Sequence, residues 1–411
     1  MANTIVGLDL GTTKIACVIA EVDRDELRIV GVGTCPSNEG LRRGVVVNLE
    51  KTARAIDKAV SEAELMAGVK IDAVYAGIAG DHIRSINSRG VIAVSRGGNE
   101  ISQADVDRVI DAARAVAIPM DREILHVIPQ GFIVDDQEGI RDPIGMSGVR
   151  LEAEVHIVTG AVNSAENIYK SIKRAGLKVH DLVLQPLASS YAVLTPDEKA
   201  IGVALLDIGG GTTDIALFYD GSIRHTAVIG LGGYNLTNDI AIGLHTPTEV
   251  AEEIKKKFGS AALSQVREDE VIAVSGVGGR GEREVSRQVL AQIIEPRMEE
   301  ILGLALREIK RTDEAEMLGA GVVLTGGAAK MPGVTALAEQ VFNHPVRVGE
   351  PKGFGGVTDM VRDPMYATAV GLVMYGYESR FRKPEGAIDE SHLFDSILAK
   401  MKGWFGEIFG G

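Results

Sequence analysis

Aromatic residues are scarce: eight Tyr, nine Phe and one Trp among 411 positions. Cysteine is scarcer still. Cys17 and Cys35 make no metal-ligand spacing, and a reducing cytosol is the simple reading of so few thiols. Eight scattered histidines form no HExxH or comparable cluster, which argues against a zinc enzyme. No run of 18 apolar residues exists to span a bilayer. The first residues, Met1 to Asp9, lack a basic leader and a cleavable apolar stretch, so no secretory signal is expected. Basic charge is short as well: 43 Lys+Arg against 57 Asp+Glu leaves −14 at pH 7. That argues against nucleic acid as the main ligand, which needs a basic face.

What the chain does have is glycine, 49 residues, far above average usage, pointing to tight turns and close backbone approaches. Its length suggests two or three domains, and 45% hydrophobic residues can fill several cores. The few aromatics are unevenly placed: Phe394, Trp404, Phe405 and Phe409 all fall in the last 18 positions.

Apolar patterning predicts strands at 4–10, 14–21 and 28–34, a helix over 49–67 and a strand over 72–78. From about 83 to 160 the texture changes to strand, helix (102–116) and strands at 123–134 and 149–159, a separate small α/β unit. A helix at 164–176, a strand at 179–184 and a helix at 186–194 follow. Long helical stretches are expected at 240–259 and 289–310, and a short buried strand at 321–324. Residues 378–391 turn polar and read as a linker.

An internal repeat outweighs these signals. Gly7-Leu-Asp9-Leu-Gly11-Thr-Thr-Lys14-Ile-Ala16 can be laid over Leu205-Leu-Asp207-Ile-Gly-Gly-Gly-Thr-Thr-Asp214-Ile-Ala216. Each block runs strand, acidic residue, Gly/Thr turn, strand. With Asp9 and Asp207 half a chain apart, a duplicated domain contributing one turn from each half is the economical inference. Such a turn offers unencumbered N–H groups and hydroxyls to phosphate oxygens. Asp9 and Asp207, just ahead of the turns, could hold a hydrated Mg²⁺ beside those phosphates. No GxxxxGK[ST] occurs, and a strand rather than a helix follows each turn, so neither the Walker loop nor the dinucleotide turn applies. A third glycine block, Thr325-Gly326-Gly327-Ala328, ends a buried strand and would admit a flat ring or ribose. Standing alone, it would be read as a plain strand–helix turn.

The order of these three blocks resembles the actin, heat-shock-chaperone and sugar-kinase ATPase superfamily over roughly residues 4–376. The insert at 83–160, the polar linker and the amphipathic end further resemble the FtsA family of bacterial cell-division proteins. That resemblance implies an actin-like α/β fold with an inserted subdomain, ATP binding, self-association into protofilaments and tethering of the tubulin-like FtsZ to the membrane. Carried over by motif, Gly11, Thr12 and Thr13 form the first phosphate turn, and Asp207, Gly209, Gly210, Gly211 and Thr212 the second. Gly232 and Gly233 are a further pair near ribose and phosphates; Gly326, Gly327 and Ala328 form the adenosine block. Glu253, Lys256 and Lys257 share one helical face and match the helix bracketing the adenosine, although a solvated charge run is the plainer reading for Lys257. Gln185 falls where the superfamily carries the residue that orients the attacking water. A glutamine can position water but cannot take its proton, so an ATP-binding scaffold with at most slow hydrolysis is expected, not an enzyme.

By the same resemblance, the small subdomain of the second half receives the C-terminal tail of FtsZ. Arg287 and Arg297 are candidates for that contact, with ordinary solvated arginines the alternative. Gly276-Val-Gly278-Gly-Arg-Gly281 matches GxGxxG, but a glycine hairpin before the following helix is the preferred reading.

Wound at ~100° per residue, Leu393, Phe394, Ile397, Leu398, Met401, Trp404, Phe405, Ile408 and Phe409 fall within an arc of roughly 160°. Asp395, Ser396, Lys400, Lys402 and Glu407 take the other side. Such a helix lies in the membrane interface and does not cross. Half of roughly 2 kcal/mol for each of nine apolar side chains gives about 9 kcal/mol before ordering costs. Packing of this face on the protein body or on a partner protein is the alternative.

The expected organisation is a duplicated actin-like ATPase fold. Residues 1–82, 161–198 and 360–380 make the first core subdomain, and 83–160 the insert. Residues 199–227 and 311–359 make the second core, and 228–310 its small subdomain. A linker at 381–391 leads to the membrane-targeting helix at 392–411. Expected partners are ATP with Mg²⁺, the FtsZ tail, further copies of the chain, later division proteins and the cytoplasmic face of the inner membrane at the septum. A sugar or acetate kinase, a chaperone ATPase and an actin-like pilus-assembly adaptor are the rival readings.

Overall fold

The computed structural model describes residues 4–382, apart from residue 25 and segments 38–39, 96–99 and 279–280. The membrane-face residues from Leu393 to Phe409 and residues 383–391 of the linker lie outside the described residues, while Glu378–Arg382 continue as a helical turn.

Alternating and continuous apolar runs build an antiparallel meander of β1 (Thr4–Leu10), β2 (Lys14–Asp23) and β3 (Glu26–Pro36). Helix α1 (Leu49–Ala67) starts at Asn48, whose side chain accepts from the Lys51 N–H at 2.9 Å, and ends at Gly68 with φ 70°. These are the two capping devices expected of a helix end. Its Ala/Ile stripe lies directly on β3: a β-carbon on Gly33 would overlap the Ala59 carbonyl and come 2.6 Å from the Ala63 nitrogen. Part of the glycine excess thus serves helix–sheet contact. Strands β4 (Ala73–Ile78) and β5 (Lys178–Leu184) pair in parallel, giving the order β5-β4-β1-β2-β3, with Gly355–Gly356 added at the β3 edge. Helix α2 (Gln185–Val193) leads to the second half.

There, β6 (Val203–Ile208), β7 (Thr213–Tyr219) and β8 (Ser222–Ile229) repeat the meander. Helices α3 (Gly233–Gly243), α4 (Thr248–Phe258) and α5 (Arg287–Ile309) follow, then β9 (Val322–Thr325) and β10 (Val346–Val348). The order β10-β9-β6-β7-β8 is that of the first sheet, with the same parallel and antiparallel pairs. The duplication is therefore one of whole domains. Helix α6 (Ala367–Tyr377) returns to the first half and packs on β1 and α2, where Gly7 and Gly371 leave room for it.

One expected helix is broken. Residues 240–259 form the end of α3 and all of α4. Between them His245 is left-handed (φ 45°) and Pro247 supplies the N-cap. A residue before proline is driven out of the helical region, and proline has no N–H to continue the ladder.

The insert is a four-stranded sheet in the order Arg84–Ala93, Arg150–Ala161, Arg122–Val134, Gln137–Ile140, with helix Gln103–Arg114 packed on it through Val106, Val109 and Ala113. The last short strand had no signal strong enough to read from sequence. Although its sequence interrupts the first half, this sheet docks on β8 of the second. His156 Nε2 meets Thr226 Oγ1 at 3.0 Å, and Gln130 donates to the Ile223 carbonyl at 2.9 Å. The strands on either side of the GxGxxG stretch, Val271–Ser275 and Glu282–Ser286, pair antiparallel as a hairpin, as expected.

Candidate functional site

Each meander sends its first turn into the space between the halves. Gly11 N–H donates to the Lys14 carbonyl at 3.0 Å, and Gly209 N–H to the Thr212 carbonyl at 2.9 Å. The flanking registers match too, Asp9↔Ala16 and Asp207↔Asp214. Both turns therefore have the same length. The overlay expected from sequence, which set Thr12-Thr13 against Thr212-Thr213, is corrected: Thr12 and Thr13 correspond to Gly210 and Gly211, Lys14 to Thr212, and Ala16 to Asp214. Composition misled because the threonine pair sits two positions further along in the second half.

The turns face each other at van der Waals contact. A β-carbon on Gly210 would overlap the Thr13 methyl and lie 2.9 Å from its hydroxyl; one on Gly211 would lie 2.6 Å from Thr12 Oγ1. Gly232 packs on the second turn in the same manner: a β-carbon there would come 2.6 Å from the Gly209 carbonyl oxygen and 3.0 Å from that of Gly210. Gly233 and Tyr234 donate their N–H groups to Gly209 and Gly210 at 2.9 and 2.7 Å. Gly326, with φ 85°, would clash with Asp207 Oδ1 if it bore a side chain, and Ala328 stands 3.9 Å from the Gly233 β-position. Gly327 has no neighbour within 4 Å there. All three glycine blocks singled out in the sequence thus converge on one cleft.

The floor is acidic. Asp9, Asp207 and Asp214 are buried. Burial pushes the Asp9 carboxyl up to about 7, opposed by Lys14 and reinforced by Asp207. Burial also raises Asp207, against hydrogen bonds that include one from Thr368 Oγ1 at 3.0 Å. Asp214 is raised as well, by burial and then by Asp207. Thr212 occupies its Oδ2 at 3.1 Å, while its Oδ1 is buried without a partner. An orphaned carboxylate oxygen beside two others that resist ionisation is an arrangement a cation would relieve. Among the described residues no group of three or more His, Cys, Asp or Glu side chains is placed to hold a metal ion directly.

Lys14, which sequence reasoning passed over, is the cation already there. Its Nζ donates to the Met365 carbonyl at 2.6 Å and lies 3.9 Å from the centre of the Tyr366 ring. Burial lowers it to about 8. A lysine directly after Gly-Thr-Thr was the available signal. Gln185, at the start of α2, donates from Nε2 to Asp9 Oδ1 at 3.2 Å, over a floor kept clear by Gly77. It therefore sits beside the carboxylate at the foot of the first turn.

The helix bracketing the cleft is read one residue out of phase by the motif. Lys255, not Lys256 or Lys257, reaches the site: its Nζ donates to the Gly233 carbonyl at 2.9 Å, to Thr237 Oγ1 at 2.8 Å and to Glu252 at 2.6 Å. Glu253, Lys256 and Lys257 are exposed; Lys256 pairs with Glu252 at 3.1 Å and Lys257 lies over the Phe258 ring. The cause is the burial of Ala251 and Ile254 with Phe258 packed alongside. That stripe puts position 255 beside the core and 253 on the far side. Arg287 and Arg297 are both engaged within their own subdomain. Arg287 donates to the Phe258 carbonyl at 2.8 Å and pairs with Glu270; Arg297 pairs with Asp239 and Glu300.

Two like sheets that bring paired glycine turns and a third glycine block to one cleft define the actin-like ATPase fold. Solved structures agree on the fold. The PilM–PilN type IV pilus biogenesis complex superposes with a TM-score of 0.66 at 16% identity, over 90% of this chain and 98% of that one. MreB5 of Spiroplasma citri bound to ADP gives 0.56 at 14%, over 93% and 98%. A MamK double helical filament gives 0.54 at 13%, over 91% and 99%. The profile for cell division protein FtsA matches residues 204–371, and that for the SHS2 domain inserted in FtsA matches residues 80–159. Cell division protein FtsA of Pseudomonas aeruginosa is 52% identical over 406 residues, 97% of each chain. That of Escherichia coli K12 is 45% identical, over 97% of this chain and 95% of the relative; that of Bacillus subtilis is 43% identical, over 94% and 88%. The chain belongs to the FtsA family of cell division proteins.

Proposed function

We propose that the cleft binds ATP with Mg²⁺, that the nucleotide holds the two halves together for polymerisation, and that the polymer links the FtsZ ring to the cytoplasmic face of the inner membrane at the septum. The observation that carries the nucleotide reading is the contact of Thr12 and Thr13 with Gly211 and Gly210 above three buried aspartates. Phosphate oxygens would take the N–H groups of both turns and the Lys14 ammonium, Asp9 and Asp207 the hydrated ion, and Lys255 the sugar–base end. The ion supplies charge neutralisation when bound. Gln185 can orient a water but not deprotonate it, which supports a scaffold with slow hydrolysis over a kinase.

Membrane attachment is assigned to the apolar face of residues 393–409, with FtsZ and later division proteins as partners. Among the described residues no helix is long and apolar enough to cross a membrane. Flotation with vesicles of bacterial lipid tests the assignment. Deleting 392–411 should leave the protein at the bottom of the gradient, and Trp404→Ala should weaken flotation several-fold; unchanged flotation of the deletion refutes it. Equilibrium dialysis against ATP with Mg²⁺ tests the cleft.

A further inference from the structure

Between β3 and α1 runs a small hairpin, Leu41–Arg42 paired with Val45–Val46. Its tip is Arg43-Gly44, both left-handed, with φ 49° and 75°. A two-residue hairpin loop asks for positive φ at its central residues, which glycine adopts freely and arginine less readily. The tip lies against the cleft. Gly44 donates its N–H to Thr12 Oγ1 of the first turn at 3.1 Å and would meet the Ala79 carbonyl at 2.9 Å if it bore a β-carbon. The tip is therefore pinned to the first half at its phosphate turn.

The Arg43 side chain leaves that half. Its Cδ and Nη1 lie 3.7 and 3.9 Å from the β-position of Gly230. Gly230 opens the segment whose Gly232 packs on the second turn. The tip thus holds the Gly44 backbone on the first turn and sets the Arg43 guanidinium against the loop that seats the second. Ala328 and Lys255 adjoin the other end of that loop, at Gly233.

Charge distinguishes Arg43 from the other two cations. Lys14 lies beside Asp9 and Asp207, and Lys255 is paired with Glu252. Arg43 is exposed, and no carboxylate among the described residues pairs with it. A planar guanidinium with its donors unspent is suited to a terminal phosphate, which presents three oxygens and the greatest negative charge.

We infer that Arg43 reads the third phosphate of a nucleoside triphosphate held between the two turns, tying the hairpin of the first half to the Gly230–Gly233 loop of the second. The inference rests on the nucleotide reading above and deepens it: a diphosphate would fill the turns and leave Arg43 without a partner. Arg43 would then discriminate the two nucleotides and couple that difference to closure of the cleft.

Equilibrium dialysis of the full chain with radiolabelled ATP and, separately, ADP, each with Mg²⁺, tests it. Arg43→Asn tolerates the left-handed tip and removes the charge; Arg43→Lys keeps the charge but not the fork. Arg43→Asn should lose at least tenfold in ATP affinity and less than twofold for ADP, with Arg43→Lys recovering part of the ATP affinity. Equal losses for both nucleotides, or unchanged ATP affinity, overturn the role of Arg43 while leaving the nucleotide site standing. A wild-type chain that binds neither nucleotide overturns the site and the inference together.

Discussion

Thr13 of the first half and Gly210 of the second touch so closely that the glycine has no room for a β-carbon: the methyl would be overlapped and the hydroxyl would stand 2.9 Å away. Since each residue sits at the tip of its own hairpin, this contact sets the separation of the two halves where phosphates would lie.

Gly210→Ala should therefore push the turns apart without unfolding either sheet. ATP affinity measured by calorimetry is expected to fall at least tenfold, while far-ultraviolet circular dichroism stays unchanged. Adding Thr13→Ser, which removes the overlapped methyl and keeps the hydroxyl, should return part of the lost affinity. Wild-type affinity in the single variant would show that the contact does not control the site.

Lys255 and Lys257 separate the structural reading of α4 from the motif reading. Lys255 holds the Gly233 carbonyl, Thr237 and Glu252. Lys255→Met should cost about 1–3 kcal/mol of stability by leaving these acceptors unpaired, and it should weaken nucleotide binding as well. Lys257→Ala, on the exposed face, should do neither within about 0.5 kcal/mol. Chemical denaturation and calorimetry on both variants give the comparison; a larger effect at Lys257 would restore the motif phase.

The docking of the insert on β8 should loosen in acid. His156 bridges Asn87 at 2.7 Å and Thr226 at 3.0 Å, and burial lowers it from 6.5 to about 3, with His225 and His126 contributing. The folded state thus binds this proton more weakly than the unfolded one. Its contribution is present above pH 6.5 and is lost as the pH falls towards 3. Hydrogen exchange at Ser222–Ile229 is expected to accelerate between pH 6 and 4 beyond the intrinsic pH dependence. His156→Gln, which cannot titrate there, should flatten that rise. Identical profiles for the two proteins would remove His156 from the account.

Much of the site was legible in advance for a local reason. A strand–turn–strand unit is specified by residues a few positions apart, so Asp9 with Gly11–Thr13, and Asp207 with Gly209–Thr212, announced both turns and their pairing across the halves. Helix α1 was equally plain, because Ala53, Ile56, Ala59, Val60 and Ala63 recur at helical spacing. Lys14, Asp214 and Lys255 were not legible as site residues. Lys14 and Lys255 take their roles partly from Met365 and Gly233, 351 and 22 positions away, and no short motif encodes such a distance.

The sequence by itself determined that this is a duplicated α/β chain with two facing phosphate-type turns, because repeats, turn residues and apolar period are properties of neighbouring positions. Only the tertiary structure decided the phase of each motif. It aligned the two turns without a gap, broke the helix at His245–Pro247, chose Lys255 over Lys257, seated the insert on β8 and brought Arg43 beside Gly230. Those choices follow from which side chains the cores bury and which backbones meet at van der Waals distance, and both are settled only when distant segments pack.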